Sequence, residues 1–311
     1  MLIVETLAPL ILLIALGAGL AHIKFLGTAF MADLNKLAFW IALPALLFTS
    51  ANHAAEPGSQ LGWLLAVVFG GTLIISLVAW LVSFPLRMPS NVRGTLMQSA
   101  FRGNLAYIGL PVLAYSFTTM PSDDGNRVMA TAVIVMVLTM ASYNILAVIV
   151  LQISQHAGKV DVLKLTKLIV TNPLLLAGIL GLIVPLLGVK LPKFVNAALE
   201  SLGSAAVPIA LLCIGGSLAI TSLKGRISWI ISAAALKVMV LPLIVYGLTR
   251  LTGLGPAEQR IALVLTCCPT AAASFVMAKE MGGDTALASG SIALSTILSA
   301  ASLAVVLWVT S

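Results

Sequence analysis

The sequence predicts an all-α polytopic membrane protein. Its expected form is about ten transmembrane helices in two inverted five-helix repeats, with broken, crossing helices four and nine. Three observations lead there. First, the 311-residue chain is 60% hydrophobic and 9% charged, against roughly 25% charged in soluble domains; so little charge cannot solvate a soluble surface of this size. Second, apolar runs of about 20 residues, the length that crosses a bilayer, recur along the whole chain. Third, the halves share register. Pro9 and Pro173 lie 164 positions apart, as do Pro44 and Pro208, and the same offset lays Asn104 opposite Cys268.

The first five segments fall at roughly 3–22, 34–51, 61–84, 94–118 and 127–152. The second five fall at roughly 166–187, 196–220, 227–250, 258–279 and 285–309. The apolar start from Met1 to Leu20 has no basic flank and no small-residue cleavage site, so it reads as a span and not a signal peptide. Short polar connections separate the segments, such as Met88-Pro89-Ser90-Asn91, Pro121-Ser122-Asp123-Asp124-Gly125 and Gly253-Leu254-Gly255-Pro256. Residues 1–152 form the first repeat, 153–165 a cytoplasmic connecting loop and 166–311 the second repeat. Alternating apolar and polar strand pairs are absent, which argues against a β-barrel.

Lys and Arg in short loops set orientation. With the N-terminus outside, the inner loops hold Lys24, Lys36, Arg87, Arg93, Lys159, Lys164, Lys167, Lys224, Arg226 and Lys279, and the outer loops hold Arg127, Lys190, Lys193, Arg250 and Arg260. This bias puts both termini outside. An odd number of spans per half then forces the second half to enter with opposite polarity.

The fourth segment carries Arg102-Gly103-Asn104, Tyr107 and Gly109-Leu110-Pro111. Glycine weakens a helix, and an interior proline removes a hydrogen bond and clashes with the preceding turn. The ninth carries Cys267-Cys268-Pro269-Thr270 followed by small residues, which permit another backbone to approach. Unpaired backbone costs several kcal/mol in lipid, so such breaks belong against protein or a water-filled cavity. Inverted repeats would bring them together near the bilayer midplane. Half-helix N-termini there would attract an anion, although the free carbonyl ends leave a cation open.

Ionisable groups inside spans are functional candidates by default. Arg102 lies beside the first break; the alternative to a ligand role is pairing with a carbonyl or reaching the inner interface. Lys237 lies midway along the eighth span, where it would attract an anion or bind a carbonyl freed by a break. Asn144 and the series Ser291, Ser295, Thr296, Ser299 suit helix packing. Adjacent Cys267 and Cys268 read as packing, and no His/Cys/carboxylate spacing suits a metal. Phosphate-loop motifs and basic nucleic-acid stripes are absent, so no cofactor, no catalytic residue and no nucleic-acid partner is expected.

The Gly103-Asn104-x-x-x-x-Gly109-x-Pro111 stretch, the Pro269 segment and the five-plus-five pattern resemble the auxin efflux carrier family of membrane transporters, over nearly the whole chain. The resemblance implies crossed broken helices four and nine, a scaffold domain, a moving transport domain, an organic-anion substrate and a homodimer. The connecting loop is short, as in bacterial members of the inner (plasma) membrane, for which malonate, malate and similar carboxylates are the expected substrates. A secondary transporter of small organic anions by alternating access is therefore the expected function, with a proton or sodium ion open as coupling partner. Its substrate-binding candidates are Asn104, Tyr107, Pro111, Pro269, Thr270, Arg102 and Lys237. The alternative is a cation/proton antiporter of related architecture, which usually needs a buried carboxylate; every Asp and Glu here falls near a segment end. An intramembrane hydrolase would need a nucleophile–base pair or two mid-span carboxylates, and neither is visible.

Overall fold

The computed structural model describes residues 2–25, 27–52, 60–117, 122–155, 171–220 and 226–310. The chain runs through α1 (Leu2–His22), α2 (Thr28–Leu37), a π-helical turn (Ala38–Ala42), α3 (Leu43–Asn52), α4 (Leu61–Ser83) and α5 (Ser90–Phe101). A second π-helical turn (Leu105–Gly109) leads to α6 (Leu110–Ser116), followed by α7 (Ser122–Ser154), α8 (Pro173–Leu186) and α9 (Lys193–Ile220). Then come α10 (Ile227–Ala235), a third π-helical turn (Leu236–Val240), α11 (Leu241–Thr252), α12 (Pro256–Cys267), α13 (Ala273–Glu280) and α14 (Thr285–Val309). Positions 156–165 of the expected connecting loop, with Lys159 and Lys164, lie outside the described residues, as do Lys167 and Lys224.

The regular secondary structure of the described residues is helical apart from one isolated antiparallel bridge, Gly103 with Thr270. Six helical segments among them are long and apolar enough to cross a membrane: Ala29–Asn52, Leu61–Ser83, Arg127–Ser154, Lys193–Gly216, Ile227–Thr252 and Thr285–Val309. Shorter apolar helices occupy Ile11–His22, Leu105–Ser116 and Pro173–Leu186. The chain is a multi-pass, all-α membrane protein.

Local chemistry sets several ends. The Asn172 side chain accepts from the amides of Leu174 (3.0 Å) and Leu175 (3.3 Å), with Pro173 opening α8; proline suits that position because its missing N–H would be unpaired there anyway. The Asp284 carboxylate accepts from Leu287 N at 2.9 Å and starts α14. Gly253, at φ 65°, ends α11 in the left-handed region that only glycine enters freely.

The helices gather into two compact units, each drawing on both halves of the sequence. The first comprises Met1–Ser59, Ala106–Leu138 and Ile169–Ile220. Here α9 packs on α1 and α3, and α3 on α8. Gly17 lies against the Leu212 backbone, Gly215 against the Ile14 carbonyl and Gly181 against the Phe48 backbone. Lipid tails are as apolar as leucine, so helices in a bilayer associate through such close approach.

The second unit comprises Gln60–Leu105, Thr139–Leu168 and Thr221–Ser311. There α4 packs on α5 and α11, and α14 on α10 and α12. The Gly94 amide donates to Ser154 Oγ of α7 at 2.9 Å. Both breaks, at Arg102–Asn104 and at Cys268–Ala272, lie in this unit.

Gly215→Val drives a side chain into the Ile14 carbonyl, whereas Gly19 has open space around it. Overpacking of this kind costs about 1–3 kcal/mol or more. Thermal unfolding in detergent should therefore show a lowered midpoint for Gly215→Val and an unchanged one for Gly19→Val. Equal midpoints would contradict the tight α1–α9 contact.

Candidate functional site

In the second unit α5 ends at Phe101, and Arg102 turns to extended backbone at φ −74°, ψ 99°. α12 ends at Cys267, and Cys268 is extended at φ −55°, ψ 142°. The two extended stretches run antiparallel. Asn104 N donates to the Pro269 carbonyl at 2.8 Å, and Ala271 N donates to the Arg102 carbonyl at 2.9 Å. Each break thus supplies the partner the other lost, which answers the cost of unpaired backbone in lipid. Gly103 sits at the point of closest approach. A Cβ there would lie 3.3 Å from the Leu265 carbonyl oxygen and 3.3 Å from Lys237 Nζ.

Side chains tie the crossing to its surroundings. Thr270 N donates to Ser295 Oγ of α14 at 3.0 Å, and Thr270 Oγ1 donates to the Ser99 carbonyl at 2.8 Å. Gln98 Nε2 donates to the Ser274 carbonyl at 2.9 Å, linking α5 to α13. Pro269 occupies the break itself, four residues before α13 begins.

Two cations are buried beside this pairing. Lys237, fully buried in the third π-helical turn, donates to the Thr266 carbonyl at 2.8 Å. That carbonyl belongs to the last turn of α12, the end where a helix favours positive charge. Lys237 thus meets a carbonyl at the break, one of the two roles open to it. Arg102, 8% exposed, donates to Asn144 Oδ1 at 2.6 Å and to Met277 Sδ. Among the described residues neither cation meets a carboxylate; the ion pair found there is Lys36–Asp33, on the surface.

Asn104 is half-buried, and its side-chain amide hydrogen-bonds no described residue. Gln98 Oε1, Ser99 Oγ and Ser274 Oγ are buried without a partner. The crossing thus holds an excess of unused polar atoms and two cations with spare N–H donors, since a lysine carries three and an arginine five.

Five of the seven candidate residues, Arg102, Asn104, Lys237, Pro269 and Thr270, share this unit. Tyr107 and Pro111 belong to the first. There Tyr107 OH donates to Asn35 Oδ1 at 3.0 Å, and buried Pro111 sits in the first turn of α6, where its missing N–H is harmless. The helix break of the fourth segment lies at Arg102–Asn104, upstream of Pro111.

Gln98, Ser99, Ser274, Met277 and Ser295 complete the arrangement and were not candidates. A signal existed for two of them. Gln98 lies one helical turn before Arg102 in an apolar stretch, and Ser295 belongs to a one-face series of hydroxyls.

Thr270→Val keeps the shape and removes the bond to Ser99, leaving a buried carbonyl unpaired, which should cost about 1–3 kcal/mol. The thermal midpoint should fall measurably in that variant. It should fall less in Thr296→Val, whose hydroxyl bonds only within its own helix, to the Ile292 carbonyl. An equal fall in both would remove the special standing of the Thr270 bond.

Comparisons with known proteins place this geometry in context. The family model described as "Membrane transport protein" matches residues 2–307. An "Uncharacterized transporter" of Methanocaldococcus jannaschii is 26% identical over 281 residues, covering 88% of this chain and 87% of the relative. Another, of Methanothermobacter thermautotrophicus, is 27% identical over 301 residues, covering 96% and 95%. A protein of Rhizobium meliloti named "Putative malonate transporter" is 26% identical over 281 residues, covering 87% and 84%. Helix composition, paired breaks and whole-length match agree on a transporter and not an enzyme: the chain belongs to the membrane transport protein family, that of the auxin efflux carriers.

Proposed function

We propose that the protein is a secondary transporter of small organic anions, carboxylates such as malonate or malate, working by alternating access. The observation that carries this reading is the pair of buried cations, Arg102 and Lys237, without a carboxylate among the described residues. A charge held at membrane depth is costly, and an anionic substrate would offset both at once. Spare N–H donors of Arg102 and Lys237 and the side-chain amide of Asn104, which bonds no described residue, suit carboxylate oxygens. Thr270 and Pro269 fix the backbone that carries them; Tyr107 and Pro111 remain candidates by sequence alone. The name of the Rhizobium relative supports a dicarboxylate.

The same proposal includes ten spans in two inverted five-helix repeats, 1–152 and 166–311, joined through a cytoplasmic 153–165. The helix–break–helix pattern shared by α5 with α6 and by α12 with α13 supports the repeat. Loop charge supports both termini outside an inner (plasma) membrane, with the chain as a homodimer and a proton or sodium ion as the candidate coupling ion. Among the described side chains the antiporter alternative finds no buried carboxylate: Asp33 and Glu200 are exposed, and Glu258 and Asp284 only half-buried.

Proteoliposomes should accumulate radiolabelled malonate or malate, and varying pH and sodium gradients separately identifies the coupling ion. Asn104→Ala should lower uptake by at least about tenfold with normal insertion, because alanine supplies neither donor nor acceptor. Arg102→Gln or Lys237→Gln should weaken anion affinity in at least one case. Uptake of no carboxylate, or normal uptake in all three variants, would overturn the site.

A cysteine placed at Lys159 should resist an impermeant maleimide applied from outside, whereas one placed at Ser311 should react. The reverse pattern would invert the proposed orientation.

A further inference from the structure

A second concavity lies in the same unit, away from the polar crossing. It has a volume of about 370 Å³ and is walled by α11 with its preceding π-helical turn, by α12 and by α14. This falls within the roughly 300–1,000 Å³ of ordinary ligand pockets, but its walls are almost wholly apolar. Met239, Leu243 and Tyr246 form one wall, Val305 and Val309 the other, and Cys267 the floor. Met239 is 57% exposed, Leu243 68% and Val305 59%. Both walls lie on segments long and apolar enough to cross a membrane, Ile227–Thr252 and Thr285–Val309. The medium that meets these side chains is therefore lipid.

We propose that this groove seats one acyl chain of a phospholipid whose phosphate lies at the Arg250 end of α11. Met239, Leu243, Tyr246 and Arg250 follow at steps of four, three and four, which places them along one helix face. From Met239 to Tyr246 that face rises about 10 Å at the helical 1.5 Å per residue. The groove is thus apolar over its length, carries a phenol near its end, and meets an exposed arginine one turn beyond. Tyr246 is half-buried and its hydroxyl bonds no described residue; Arg250 is exposed and forms no ion pair among them. An acyl chain, its ester and its phosphate match that order of apolar wall, hydroxyl and guanidinium. A guanidinium pairs with phosphate oxygens in bidentate fashion, and aromatic hydroxyls favour the level of the headgroups. The floor at Cys267 is next to the break, so the chain's tip would rest against the helix end that Lys237 caps.

Native mass spectrometry of the full chain in detergent tests this, with phosphatidylglycerol and with diacylglycerol of the same acyl chains. One phosphatidylglycerol should remain bound at low lipid concentration. Val305→Trp and Leu243→Trp fill the groove from opposite walls at exposed positions, so they should not strain the core. Each should lower occupancy at least about fivefold through loss of apolar contact. Ile297→Trp, on α14 but outside the groove and 62% exposed, should leave occupancy unchanged. Arg250→Gln should bring phosphatidylglycerol occupancy down to that of diacylglycerol. Unchanged occupancy in both groove-filling variants overturns the seat, and unchanged occupancy in Arg250→Gln overturns the placement of the phosphate. Conversion of a dimer to a monomer by Val305→Trp without loss of lipid would assign the face to a second copy and overturn the proposal.

Discussion

The rest of the candidate site depends on one constraint: backbone polar groups freed inside an apolar chain must find partners within the protein. The two breaks answer it for each other. Asn104 N to the Pro269 carbonyl and Ala271 N to the Arg102 carbonyl make a two-bond antiparallel bridge between segments over 160 residues apart in sequence. Once that bridge forms, the other placements follow. Thr270 is held against Ser99 and Ser295, Lys237 is drawn to the Thr266 carbonyl, and a Cβ at Gly103 would be tight against the Leu265 carbonyl oxygen and Lys237 Nζ.

The bridge also explains why cations can sit where carboxylates do not. The end of α12 leaves carbonyl oxygens facing inward, and a lysine ammonium satisfies one without a formal counter-charge. Arg102 solves the same problem with Asn144 and the Met277 sulfur. Both solutions use part of each cation's set of donors and leave its positive charge in place. An uncompensated charge of this kind is costly to maintain unless a ligand of opposite sign visits it, and for that reason the proposed substrate is an anion.

Much of the fold was legible because membrane spans obey a composition rule. The first segment, expected at roughly 3–22, is helical from Leu2 to His22, and the last, expected at roughly 285–309, is helical from Thr285 to Val309. The breaks were legible from glycine, proline and a polar residue in an apolar stretch. Their detailed position was not. The half-helix expected to start near Pro111 does so, as α6, but the extended turn falls upstream, at Arg102–Asn104. Proline alone does not say whether it breaks a helix or begins one. The partners Ser99 and Ser274 were hidden for a different reason: they accept through backbone carbonyls, which every residue type carries, so only the tertiary contact reveals them.

Buried positive charge that meets no carboxylate among the described residues serves, in the proposed function, a mobile anion. Solid-supported membrane electrophysiology on proteoliposomes reads the sign of the charge that moves. With sodium absent and pH equal on both sides, a jump in malonate should give a transient current of the sign of negative charge moving into the protein as the anion binds, absent from protein-free liposomes and from a matched jump in the chloride salt. A current that appears only on a sodium or potassium jump, indifferent to any dicarboxylate, would contradict the account.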